Sequence, residues 1–261
     1  MRPLSAILIV WSITAAAFTA ERTKVGESSS QYEQPKLLSG TIYEKNSDRK
    51  AVLYKFKRTV SRSGPALNVV REFTYPDGKV AARERAVYAG DQLVSCELEE
   101  LQISARGTAK VLRDPKGKAR GEISFEYVTD PNSSGKTKLN TELLRPDTLV
   151  NDMIAPFLLA HWGDLMKGEV VKCRYLALAR AETVGFSFVK QSESIWQGKP
   201  AVIIKMSATS FIIAALVDPM FFTMEKDGEH RVLQYDGRTT PKIKDGNKWK
   251  DLDAVTVFDL N

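Results

Sequence analysis

Histidine and cysteine are scarce in this chain of 261 residues, with two of each. No apolar run reaches the roughly twenty residues that a membrane-spanning helix needs. Each scarcity excludes something. His161 and His230 have no ligand spacing to each other or to a cysteine, so no metal motif is visible. Neither pairs with a nucleophile in a recognisable pattern, which leaves no hydrolase constellation to read. Cys96 and Cys173 lie far apart and form no CxxC, so a redox or nucleophilic role is disfavoured. The sequence therefore assigns no catalytic residue, no metal and no cofactor, and the protein is read as a non-enzyme.

What the chain does have is the material of a β protein. Hydrophobic residues make up 43% and charged residues 27%, an ordinary globular balance. Eight Tyr, eleven Phe and four Trp, with Val, Thr and Ile in short runs, favour strands. The N-terminus, MRPLSAILIVWSITAAAFTA, places Arg2 before an apolar stretch from Leu4 to Ile13 and small residues at Ala15, Ala16, Ala17 and Ala20. That is the pattern of a secretory signal, read as residues 1–20 with cleavage near 17–20. A cut after Ala17 puts small residues at both controlling positions, whereas one after Ala20 puts Phe18 at one of them. An uncleaved anchor is the alternative, but the apolar core has about half the length a span requires. The expected product is exported, periplasmic or extracellular, and soluble.

Charge gives little sign of a nucleic-acid partner. Loss of Arg2 from the 38 basic residues leaves 37 against 32 acidic ones. Most of the excess sits in ARGTAKVLRDPKGKARGE, where Arg106, Lys110, Arg113, Lys116, Lys118 and Arg120 flank a turn expected at Asp114 to Gly117. A solvated hairpin tip accounts for it; a contact with an anionic membrane surface or an acidic envelope protein is the sharper reading.

Residues 21–35 are polar and irregular and are expected to form a flexible leader, with one domain over 36–261. Period-two alternation then recurs. In AVLYKFKRTV, Val52, Tyr54, Phe56 and Val60 share a face, with Arg58 out of pattern; in LNVVREFTY the inward set is Leu67, Val69, Phe73 and Tyr75. Pro76, Asp77 and Gly78 turn the chain back. Cys96 is expected inward beside Val94 and Leu98, and Cys173 beside Val171 and Tyr175. A disulfide between them and two buried free thiols both remain open.

From Asp147 to Lys167 the period changes. Val150, Ile154, Phe157, Leu158, His161, Trp162 and Leu165 recur at helical spacing, with Pro156 predicting a kink or a second helix starting there. After three further strands, FIIAALV between Ser210 and Pro219 is expected to be a short apolar helix plugging one end of a barrel-like sheet. Its candidate cavity-wall residues are Phe211, Ile212, Leu216, Phe221 and Phe222, joined by Ile154, Phe157 and Leu158. SSGKT at 133–137 fails as a phosphate loop because Asp130 stands where glycine is required. Asn132 opens a formal glycosylation sequon. Asp218 is read as a turn residue before Pro219.

The second half, from APFLLAHWGDLMKGEVVKCRYLALARAETVGFSF through VDPMFFTMEKDGEHRVLQYDGRT, resembles exported bacterial proteins of unknown function with a domain similar to the lipoprotein-carrier (Lol-type) half-barrel. The resemblance implies a mainly β fold, a large curled antiparallel sheet or incomplete barrel wrapped around one or two helices, holding acyl chains on its concave side without catalysis. The resulting expectation is a periplasmic or secreted carrier for an apolar ligand or lipoprotein. An envelope assembly factor that binds another protein is the alternative.

Overall fold

The computed structural model describes residues 30–130 and 135–259. The expected signal segment, most of the leader and the sequon at Asn132 lie outside the described residues. Fifteen strands form a single sheet. The first eight are a meander: β1 (Leu37–Glu44), β2 (Val52–Ser63), β3 (Ala66–Thr74), β4 (Val80–Ala89), β5 (Gln92–Glu100), β6 (Ala105–Arg113), β7 (Ala119–Thr129) and β8 (Thr137–Leu143). The last seven are β9 (Thr148–Leu149), β10 (Val171–Ala177), β11 (Glu182–Trp196), β12 (Lys199–Ala208), β13 (Met220–Glu225), β14 (Val232–Asp245) and β15 (Lys248–Phe258). β15 pairs antiparallel with β1, so the two meanders join through the chain's first and last strands.

The turns follow from composition. Gly78, at φ 88°, donates its N–H to Tyr75 O at 2.9 Å while Asp77 Oδ1 accepts from Lys79 N. Gly117 does the same for Asp114 at the basic hairpin between β6 and β7, where the sequence places its turn.

The sheet curls but its backbone ladder does not close. Its edges are β8 and β9, which are neighbours in sequence. Across that seam side chains replace the ladder: Lys138 Nζ donates to Ala179 O and Asn140 Nδ2 to Ala181 O, both at 2.9 Å. Glu142 accepts from the Thr183 hydroxyl at 2.6 Å and from its N–H at 3.1 Å. Gly107 on β6 lets the seam approach, because a Cβ there would lie 3.0 Å from Leu178 and 3.1 Å from the Tyr127 ring. The architecture is the mainly β, largely antiparallel fold that the alternation predicts, with the incomplete closure that the resemblance implies.

The helical segment is shorter than its pattern suggests. Thr148 and Leu149 form β9, Asn151–Met153 a 3-10 turn, and only then come α1 (Ile154–Ala160) and α2 (Trp162–Met166). The break falls at His161, not at Pro156, which occupies the first turn of α1, where its missing N–H has no helical partner to lose. Leu158 and Leu165 are fully buried, so the sheet does wrap these helices. The third helix, α3 (Phe211–Ala214), lies between β12 and β13.

Two other expectations need correction. Residues 30–35 are docked, not a leader: Tyr32 is buried and stacks on Tyr88 at 4.5 Å, and the Ser30 hydroxyl donates to Asp91. On β5 a bulge opposite Val87 and Tyr88 shifts the register, so Leu93, not Val94, turns inward with Cys96.

Candidate functional site

The curled sheet encloses a cavity of about 410 Å³. At ~30 Å³ per water this is space for roughly fourteen waters, and it falls within the range of single small-molecule pockets. Its apolar wall comes largely from the second half of the chain. β11 supplies Val184 and Phe186, β12 Met206, and β13 Met220 and Phe222. α1 adds Ile154, α3 adds Ile213, and the turn after α3 adds Val217. These positions follow period two on the strands, so the alternation that makes a sheet amphipathic also makes its concave face apolar.

The opposite wall mixes apolar and charged groups. On β3, Arg71 stands in phase with Val69 and Phe73; on β4, Glu84 stands in phase with Ala82 and Ala86. Directly paired across the two strands, Arg71 Nη1 donates to Glu84 Oε2 at 2.5 Å. Glu84 Oε1 accepts from Asn151 Nδ2 at 2.8 Å and from the Thr240 hydroxyl. Asn151 in turn accepts from the Tyr175 hydroxyl at 2.8 Å. The guanidinium of Arg71 lies 5.2 Å from the Phe56 ring centre and 5.7 Å from that of Phe73. Burial, with a smaller contribution from the negative charge of Glu84, pushes the Tyr175 phenol far above its ordinary range, so it remains a neutral donor.

A second internal pair anchors the wall. Arg58 and Asp152 are almost fully buried at 2.5 Å, and Arg58 also donates to the carbonyls of Tyr32 and Pro35. This explains why Arg58 breaks the alternation of β2: it faces inward and holds the docked segment to the sheet. Glu100, Lys242 and Asp251 form a third set on the cavity, with Tyr127 donating to Glu100 at 2.6 Å.

The expected wall residues divide. Ile154 and Phe222 line the cavity. Leu158 is packed core at 0% exposure, and Phe157 borders a separate cavity beside Pro146 and His161. Phe221 points to the other face of β13 from Phe222 and is not part of the wall. Phe211, Ile212 and Leu216 are 89%, 72% and 61% exposed, so the outer side of α3 and of the turn that follows it is in solvent. The segment touches the cavity through Ile213 on the helix and Val217 beyond its end, positions that the apolar run does not single out because every residue of FIIAALV is apolar.

Cys96 and Cys173 are both buried free thiols, which removes the disulfide alternative. They sit on β5 and β10, strands that are not neighbours in the sheet. Burial raises each thiol to about 12. The histidines are occupied in packing: His230 stacks on Trp162 at 4.1 Å, and His161 packs at a tilt against Phe157 at 4.6 Å. The basic side chains from Arg106 to Arg120 do lie on one hairpin, whose turn is exposed. Among the described residues no helix is long and apolar enough to cross a membrane.

No family model and no curated protein matches the chain. Among solved structures it is similar to a beta-barrel-like protein of a domain of unknown function, DUF1849, from Brucella abortus. The alignment covers 86% of this chain and 96% of that one, at 9% identity and a TM-score of 0.34. At that distance nothing is carried over, and what the site can do rests on this chain's own residues.

Proposed function

We propose that this protein is a noncatalytic binding or carrier protein that holds an apolar, lipid-like ligand inside its curled sheet and works outside the cytoplasm after export. The observation that carries the reading is the cavity of about 410 Å³ walled on one side by Val184, Phe186, Met206, Met220 and Phe222. Burying an acyl chain there removes its apolar surface from water at about 25 cal/mol per Å². A fluorescent fatty-acid probe should bind the wild-type protein. Ala86→Phe, which projects a ring from β4 into the cavity, should abolish binding while leaving the unfolding midpoint close to that of wild type. Wild-type protein that takes up no probe, and releases no lipid on solvent extraction before native mass spectrometry, would refute the carrier reading.

One feature favours a second reading, an envelope assembly factor. Phe211, Ile212 and Leu216 place three large apolar side chains in solvent on one short helix and the turn that follows it, an arrangement suited to a protein partner. The exposed basic hairpin offers a separate contact for anionic head groups or an acidic partner. Under this reading Ile212→Asp would abolish association with an envelope protein and leave probe retention intact.

A further inference from the structure

Arg71 is the one group on the cavity wall that combines charge with hydrogen-bonding capacity left over among the described residues and direct contact with the aromatic lining. Of its five N–H donors, one is used by Glu84. Nε and Nη2 have no hydrogen-bond partner among the described residues, and the side chain borders the cavity at 20% exposure. Glu84, by contrast, is largely committed: Oε1 accepts from Asn151 and Thr240, and Oε2 from the Arg71 cation. The nearby phenols are also committed, Tyr175 to Asn151 and Tyr235 to the carbonyl of Arg238. What the cluster offers an incoming molecule is therefore donors from one guanidinium edge.

The geometry points to Arg71 as the head-group site for a single-chain carboxylic acid, its carboxylate taken by Nε and Nη2 and its chain laid along the apolar wall. This rests on the carrier reading and deepens it. A guanidinium presents two usable edges, so one carboxylate on Nη1 leaves room for a second on the Nε and Nη2 side. The path for the chain is continuous. Arg71 lies over Phe56 and Phe73, and the same cavity is lined by Tyr235 and Phe222, whose rings pack at 4.9 Å, and by Phe186 and Met206 beyond them. The volume suits one chain of moderate length, since a methylene and a water occupy similar space. A cationic head is disfavoured at this cluster, because the charge of Glu84 is already balanced by Arg71 and the incoming cation would meet that guanidinium.

The test uses three probes with the same fluorescent chain and different heads, a carboxylate, an alcohol and a trimethylammonium group. Wild-type protein should bind the acid roughly tenfold or more tightly than the other two, the scale of a charge-assisted hydrogen bond in a dry site. Arg71→Met should erase that preference and leave alcohol binding unchanged. Because Arg71→Met strips Glu84 of its counter-charge and risks the fold, Glu84→Gln supplies the independent arm. It leaves Arg71 without its carboxylate partner, so acid binding should tighten severalfold while alcohol binding stays the same. Equal binding of all three heads, or an acid preference that survives Arg71→Met, overturns the assignment of Arg71 while leaving the cavity in use. Glu84→Gln with unchanged or weaker acid binding overturns it as well. Failure of all three probes to bind wild type overturns both the assignment and the carrier reading.

Discussion

The two walls of the cavity are built from the same kind of strand and differ in what they turn inward. β2 to β5 direct Arg58, Arg71, Glu84 and Glu100 into the interior among their apolar residues. β10 to β13 direct Cys173, Val184, Phe186, Phe188, Ile204, Met206, Phe222 and Met224. An apolar wall gains from burying almost any hydrocarbon and has no directional preference. A wall with hydrogen-bonded charges is costly to desolvate and rewards one orientation. On the carrier reading the contrast is a division of labour: the second half of the chain would supply room and affinity, and the first half orientation.

The sharpest way to break the comparison is to discharge the first wall. Arg58→Met leaves the Asp152 carboxylate, 4% exposed, without its cation, and frees the carbonyls of Tyr32 and Pro35. The expected cost is about 3–5 kcal/mol, the scale for removing one partner of a buried ion pair. Urea unfolding measures it, and faster proteolysis within residues 30–35 should accompany it. The double variant Arg58→Met, Asp152→Leu should recover most of the stability, since an apolar pair of similar volume avoids the desolvation. If Arg58→Met costs less than 1 kcal/mol, the pair is solvated and the first wall is not the dry, oriented surface described above.

A smaller effect tests whether both walls are equally sealed. Cys96 lines the cavity on the first-half strands and Cys173 is buried on β10 of the second half, and burial lifts both thiols from the ordinary 9.0 to about 12. In the unfolded chain they ionise near 9.0; in the folded protein they hold their protons. Stability from this source is thus fully present below pH 9 and is lost as pH rises towards 12, because the unfolded state releases protons that the native state keeps. At pH 10 the loss should be about 1 kcal/mol per thiol. Unfolding midpoints from pH 8 to pH 10 should fall for wild type and fall less for Cys96→Ala. Thiol labelling under native conditions at pH 8 should be slow at both sites. Fast labelling of Cys173 alone would mean that the apolar wall opens while the charged one stays shut.

Much of this was legible in the residues. The meander, the turns at Gly78 and Gly117 and the inward aromatic positions follow from period two and turn chemistry. The site was only half legible. Arg58 was visible as an exception in its strand, and Arg71 and Glu84 stand at in-phase positions on adjacent strands, a signal that the apolar count passes over. What makes them a cluster is register: Arg71 faces Glu84 only because β3 and β4 pair in that frame, and Asn151, Tyr175 and Thr240 arrive from remote parts of the chain. The docking of Tyr32 was hidden for the same reason, since its partner Tyr88 lies on a distant strand. In α3 the apolar run concealed its own polarity, because a helix that is apolar all round does not announce which face is inside.

That helix carries the smallest expected effect. Leu216 is 61% exposed, so Leu216→Ala removes side-chain atoms that are largely in water already, and its cost should stay within about 0.5 kcal/mol. Val217, the next residue, lines the cavity from the same segment. Val217→Ala should enlarge the cavity and alter probe affinity, while Leu216→Ala should leave it unchanged. Urea unfolding and probe titration on the two variants separate the outer face of the helix from the inner one. A cost for Leu216→Ala near the 2–5 kcal/mol typical of a buried leucine would place its side chain inside an interface, with a second copy or another protein covering α3. The apolar wall would then extend beyond the cavity, and the division between an orienting half and a solvating half would have to include a third, partner-facing surface.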